Sequence, residues 1–74
     1  MEDFKWMLRR YRAAAQIQSD SKLCSKSGIS MRTLQNRYDD NGNALTLFQL
    51  RNLDEVLNFS NEDLLTIVRG NFKK

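Results

Sequence analysis

Residues 20–37, DSKLCSKSGISMRTLQNR, decide the fold of this chain. They read as two short helices joined by a tight turn. Leu23, Ile29 and Leu34 stand where such a pair needs apolar packing, and Cys24 fills a position that admits only a small side chain. Gly28 follows the first helix, where a left-handed residue lets the chain turn sharply. Ser30 follows as the N-cap of the second helix. The combination is a helix-turn-helix arrangement.

Working outward, helical patterns fill the rest of the 74 residues, with no proline, no repeat and no strand candidate. Helix 1 is predicted over about Asp3–Gln16. Phe4, Leu8, Tyr11 and Ala15 make its apolar stripe, Met7 and Ala14 widen it, and Trp6 lies off its centre. Ser19 caps helix 2, about Asp20–Ser27. Helix 3 covers about Met31–Tyr38, and Asp39–Ala44 (DDNGNA) is a loop, since Asn-Gly is a strong turn signal. Thr46 caps helix 4, about Leu47–Leu57, with Leu47, Leu50, Leu53, Val56 and Leu57 inward. Asn58 is a left-handed stop. Ser60 opens helix 5 with Asp63 three residues on, an acidic form of the capping box. Leu64, Leu65, Ile67 and Val68 supply its apolar content, and Gly70 ends it. Phe59 is assigned to the core. The expectation is one all-α domain over 1–74, with a core over about 4–68 and a flexible tail over 69–74. Helices 1, 4 and 5 form a platform and helix 3 stands at the surface.

Composition narrows the function classes. Histidine is absent, which removes the commonest general base and metal ligand. One cysteine allows no internal disulfide and no zinc cluster. No glycine-rich phosphate loop is present, and the acid pairs Asp39-Asp40 and Glu62-Asp63 are explained by a loop and a helix start. An enzyme is therefore not expected, nor a metal or cofactor. No apolar run approaches the roughly 18 residues of a membrane span. The N-terminus, MEDFKWMLRRYR, is charged throughout and unlike a signal peptide. A reducing cytoplasmic setting is expected. The net charge of +3 is unevenly spread. Up to Arg37 there are eight bases and three acids, net +5; from Tyr38 onward there are four bases and six acids, net −2. A positive half beside a negative half suits a surface that faces a polyanion.

From Phe4 to Val68 the chain resembles the Cro/cI-type helix-turn-helix family of phage and bacterial repressors. The resemblance is strongest across LCSKSGISMRTL (Leu23–Leu34), and TLFQLRNLDEVLNFSNEDLL (Thr46–Leu65) looks like the family's fourth and fifth helices. It implies a compact five-helix, lambda-repressor-like domain whose helices 2 and 3 form the helix-turn-helix. Four features depart from the family pattern. Asp20 stands where the family often has a phosphate-binding glutamine, and an acid there would repel a phosphate. Ser27, before the turn glycine, occupies an often apolar position. The third apolar position of helix 3 falls on Arg37, so either Tyr38 replaces it in the core or the helix packs differently. The segment before Ser19 is one residue longer than is typical. A family arginine near Arg12 often pairs with an acid in the core, and no partner is assigned to it here.

The resemblance places base contacts at Ser30, Met31, Arg32, Gln35 and Asn36. Their chemistry suits base reading. Arg32 can bond guanine O6 and N7 together, Gln35 or Asn36 adenine N6 and N7, and Met31 can cover a thymine methyl. Backbone phosphate contacts fall to Lys22, Lys26, Thr33, Arg37, Asn41 and Asn43. The implied protein is a small phage or mobile-element Cro-like repressor, cytoplasmic and nucleoid-associated when bound to DNA. Its partner is double-stranded operator DNA, as an inverted repeat bound by a weak homodimer with apolar groups of helix 5 and Phe72 at the contact. The rival is an anti-repressor or other interaction module that binds a partner regulator instead of DNA.

Overall fold

The computed structural model describes residues 3–70 and 72. Five helices and no strand are found among them: α1 Phe4–Ala14, α2 Asp20–Ser27, α3 Met31–Asp39, α4 Leu47–Leu57 and α5 Asn61–Arg69. Each begins at a side chain that accepts a backbone N–H of the first turn. The hydroxyls of Ser19, Ser30, Thr46 and Ser60 accept from Lys22, Thr33, Gln49 and Asp63, and the Asp3 carboxylate accepts from Trp6 at 2.8 Å. These bonds satisfy donors that no helical carbonyl can reach. The reciprocal capping box lies at α4, where Gln49 Oε1 accepts from Thr46 N–H at 3.1 Å. At α5 the expected box is altered: Ser60 N–H donates to the Tyr11 hydroxyl at 3.1 Å, and the Asp63 carboxylate turns to Tyr11 and Arg10.

The helix ends are equally local. Gly28 (φ 75°) and Asn58 (φ 54°) are left-handed, and their N–H groups close onto the carbonyls of Cys24 and Asp54. α1 ends at Ala14, two residues before the predicted Gln16, because Gln16 itself takes φ 60°. Gln16 N–H bonds Ala13 O and Ile17 N–H bonds Arg12 O, a Schellman closure that turns Ile17 into the core. The same closure ends α3 one residue later than predicted. Asn41 (φ 58°) bonds Tyr38 O and Gly42 bonds Arg37 O, so Asp39 belongs to the helix.

The core gathers Phe4, Met7 and Leu8 of α1, Ile17, Leu23 of α2, Ile29, Leu34 of α3, Leu50, Leu53 and Leu57 of α4, Phe59 and Ile67 of α5. α2 packs against both α3 and α4. Tyr11 stands edge-on to Phe59 at 4.8 Å between centroids. The radius of gyration, 11.0 Å, matches the roughly 11 Å of a compact chain of this length. Several expected core positions lie outside. Ala14 and Ala15 are exposed at the end of α1, and the chain leaves the helical register at Gln16. Leu47, in the first turn of α4, and Leu65 and Val68 of α5 also face outward. The buried faces of those two helices are formed instead by Leu50, Leu53, Leu57 and Ile67. Phe72, expected in a tail, packs on Phe4 with centroids 5.8 Å apart. Residues 71, 73 and 74 of that expected tail lie outside the described residues.

Two glycines differ in what opposes a side chain. A Cβ on Gly28 would meet nothing within 4 Å, so only its φ opposes substitution. A Cβ on Gly42 (φ 79°) would stand 3.0 Å from Phe4 Cδ1. Gly28→Ala is expected to cost about 1–2 kcal/mol from backbone strain, and Gly42→Ala more, since the fully buried Phe4 must also shift. Gln16→Gly should stabilise, by up to about 1 kcal/mol, by relieving a left-handed non-glycine residue. Urea unfolding of the three variants checks the order; equal costs at Gly28 and Gly42 would contradict the packing of the Asn41-Gly42 turn on Phe4.

Candidate nucleic-acid interface

α3 is short, and its two sides have opposite fates. Leu34 is buried, while Tyr38, Arg37 and Thr33 are half-buried. Arg32, Gln35 and Asn36 are exposed, and at 100° per residue they share one side of the helix. Met31, 39% exposed, borders this strip, with the Gln35 amide 3.8 Å from its sulfur. The turn Gly28-Ile29-Ser30 sets where the strip points. Ile29 is buried as its anchor, and the buried Ser27 hydroxyl accepts from Ile29 N–H at 3.4 Å. That bond engages the Ser27 hydroxyl within the turn.

The other candidate residues divide by what already holds them. Ser30 Oγ accepts from Thr33 N–H and donates to Thr33 Oγ1 at 2.9 Å, so both side chains are engaged in the cap. Lys22 and Lys26 are exposed one turn apart on α2. Arg37 is turned back on its own loop: its guanidinium donates to Ala44 O at 3.1 Å and pairs with Asp40 at 3.0 Å, with 19% of the side chain exposed. Its Nε and Asp40 Oδ1 are buried without a hydrogen-bond partner. Asn41 uses its side chain to accept from Phe4 N–H at 2.9 Å, which caps α1 from the loop after α3. Asn43 is exposed. The strip on α3 and the lysines of α2 are thus outward, whereas Ser30, Thr33, Arg37 and Asn41 serve internal contacts.

Asp20 does not present a bare carboxylate to solvent. Its Oδ1 accepts from Arg12 Nη1 at 2.5 Å and from the Tyr38 hydroxyl at 2.9 Å, joining α1, α2 and α3 at one atom. Arg12 and Asp20 each keep only 20% of their side chains exposed. The partner that Arg12 lacked in the sequence is therefore Asp20, and Tyr38 takes the inward place beside Leu34, packing on Phe4 with centroids 6.2 Å apart. Burial, with its hydrogen bond to Asp20 and that residue's charge, pushes the Tyr38 phenol well above its ordinary value, so it stays a donor. Burial and then Asp20 also push the Cys24 thiol up, which disfavours a reactive thiolate. One residue away on α1, the Tyr11 hydroxyl holds the Asp63 carboxyl below its ordinary value, aided by Arg10 and Ser60 and opposed by partial burial.

Among the described residues, no group of three or more Cys, Asp or Glu side chains is placed to hold a metal ion, and no helix is long and apolar enough to cross a membrane. A groove of about 390 Å³ runs between the start of α4 and the end of α5, lined in part by Leu47, Leu50, Ile67 and Val68. No family model, curated protein or solved structure matches the chain.

The joint at Asp20 and the pair at Asp63 each lead to a measurable outcome. Asp20→Asn keeps the shape but removes the charge that Arg12 meets, and is expected to cost about 1.5–3 kcal/mol in urea unfolding. Combined with Tyr38→Phe it should cost less than the two single changes together, because both act on one oxygen. Because folding lowers the Asp63 pKa, its stabilising contribution is complete above the unfolded-state value, near 3.9, and is lost as pH falls through the folded-state value. Asp63→Asn should therefore unfold at a lower temperature near neutrality and lose less of that stability on acidification than the parent. Parallel pH curves would remove the assigned role of Asp63.

Proposed function

We propose that this chain is a sequence-specific DNA-binding regulator of transcription of the Cro/cI type, with α2 and α3 acting as its helix-turn-helix. The observation that carries this reading is the strip of Arg32, Gln35 and Asn36 on a short helix anchored by the Gly28-Ile29-Ser30 turn. Its side chains have no tertiary partner among the described residues, while the other side of α3 is held by Leu34, Tyr38 and Arg37. With α3 in the major groove, Arg32 faces a guanine, Gln35 and Asn36 face adenines, and Met31 covers a thymine methyl. Lys22 and Lys26, with Asn43, are the phosphate contacts free to act. Arg37 and Asn41 support the loop that carries Asn43. Binding beside a promoter would occlude polymerase or present a surface to it.

One recognition helix spans too few base pairs for genomic specificity, so the reading includes a two-fold dimer on an inverted repeat. Phe72 packs inward, which leaves Leu47, Phe48, Leu65 and Val68 as the exposed large apolar groups of α4 and α5 available to a second copy. Phe48 and Val68 are 72% and 66% exposed, more than a lone core of this size requires. The same four residues favour the second reading, an interaction module that captures a partner regulator without DNA.

The deciding experiment is an electrophoretic shift with DNA flanking the coding sequence, against random duplex, at low and moderate salt. A salt-resistant shift confined to the flanking DNA supports the regulator; no shift on either DNA contradicts it. Arg32→Ala and Asn36→Ala should each lose about 1–3 kcal/mol of discrimination at particular base pairs, with unfolding temperatures unchanged. In sedimentation with the shifted DNA, the parent should load two copies and Val68→Glu one. Two copies of Val68→Glu at parental affinity would move the dimer contact elsewhere.

A further inference from the structure

Asp39, expected in the loop after helix 3, lies in the last turn of α3 and is exposed. It stands seven residues after Arg32, four after Gln35 and three after Asn36, which puts all four on one side of the helix. Asp39 makes no hydrogen bond or ion pair among the described residues, whereas Asp20, Asp40, Asp54 and Asp63 each have one. Its position is also locally unfavourable, because an acid in the last turn opposes the negative end of the helix dipole.

From this placement we infer that Asp39 is a specificity-determining residue of the reading strip, selecting cytosine and weakening the grip of α3 on other DNA. The inference rests on α3 reading the major groove. An ionised carboxylate is an acceptor only. Guanine presents N7 and O6 there, and thymine O4, all acceptors that would repel it. Adenine offers its N6 donor beside the N7 acceptor, and cytosine offers the N4 donor without one. Cytosine is therefore the base that satisfies Asp39, and seven residues at about 1.5 Å rise put it within about three base-pair steps of the guanine taken by Arg32. Away from that base the carboxylate meets only phosphates and acceptors. Non-specific binding, which rests on backbone charge, is then reduced at little cost to the cognate site. A modest net charge of +3 fits a reader that discriminates in this way.

The test is selection of binding sites from a randomised duplex pool by the parent, Asp39→Asn and Asp39→Ala, with affinities also measured on unselected random duplex. The parent should enrich a cytosine at one position near the guanine. Asp39→Asn should move that position toward adenine, whose N6 and N7 suit an amide. Asp39→Ala should lose the preference there by about tenfold while keeping the rest of the motif. Both variants should bind random duplex about three- to tenfold more tightly at low salt and unfold no earlier than the parent. Parental motif and affinities in both variants would overturn the role of Asp39 while leaving α3 as the reader. A parent that enriches no motif and binds no duplex would overturn the DNA reading itself, and this inference with it.

Discussion

One carboxylate oxygen fixes the arrangement of the first three helices. Asp20 Oδ1 accepts from Arg12 of α1 and Tyr38 of α3 while its own backbone starts α2. Apolar packing alone is non-directional, and a small core built from Leu, Ile, Met and Phe can slide. A half-buried charge met by a guanidinium and a phenol tolerates little sliding, because a displaced partner leaves a desolvated group unpaired. The direction of α3 relative to α1 is therefore set by chemistry at Asp20 as much as by Leu34 against the core. The Asn41 side chain adds a second tie between the same two elements by capping Phe4. Since Phe4 also supports the Gly42 turn and meets Tyr38 and Phe72, the start of α1 and the end of α3 form one unit.

Local chemistry is the legible part of this fold. Ser19, Ser30, Thr46 and Ser60 cap the helices expected of them, and Gly28, Asn58 and Gly70 terminate helices in left-handed conformations. Caps and left-handed stops act within a few residues, so spacing alone reveals them. The stop at Gln16 is not legible, because glutamine has no preference for positive φ; the closure there is imposed by Ile17 entering the core. Leu47, Leu65 and Val68 depart from expectation for a related reason. Helical periodicity marks which residues share a face, but not how much of that face the remaining elements can cover.

The candidate site is legible to a different degree at each residue. The outward strip of Arg32, Gln35 and Asn36 follows from the helix start at Ser30 and needs no tertiary information. Ser30, Thr33, Arg37 and Asn41 have the same polar chemistry, yet the fold engages their side chains internally. Beyond the cap at Ser30, sequence does not separate the two groups, because Asp40 and Ala44 become partners of Arg37 only once the loop closes. Asp20 shows the converse. Read along the chain it is an acid at the wrong place for a phosphate; in the fold its charge is largely met by Arg12 and Tyr38, so the expected repulsion at the start of α2 is blunted.

This division of labour separates side chains that hold the fold from side chains that do not. Side chains with internal partners cannot be exchanged without loosening the fold, since each removal strands a cap, a carboxylate or a guanidinium. Among the described residues Arg32, Gln35 and Asn36 have no such partners, so their replacement leaves the direction of α3 unchanged. The turn at Gly28-Ile29-Ser30 and the joint at Asp20 then act as a fixed mount for an exchangeable strip. For the binding proposed above, a rigid mount limits the ordering cost, because α3 is already held. A fold of 74 residues with a small core can sustain this only if the mount relies on directional contacts, and the Asp20, Asn41 and Asp63 bonds to three separate positions along α1 supply them.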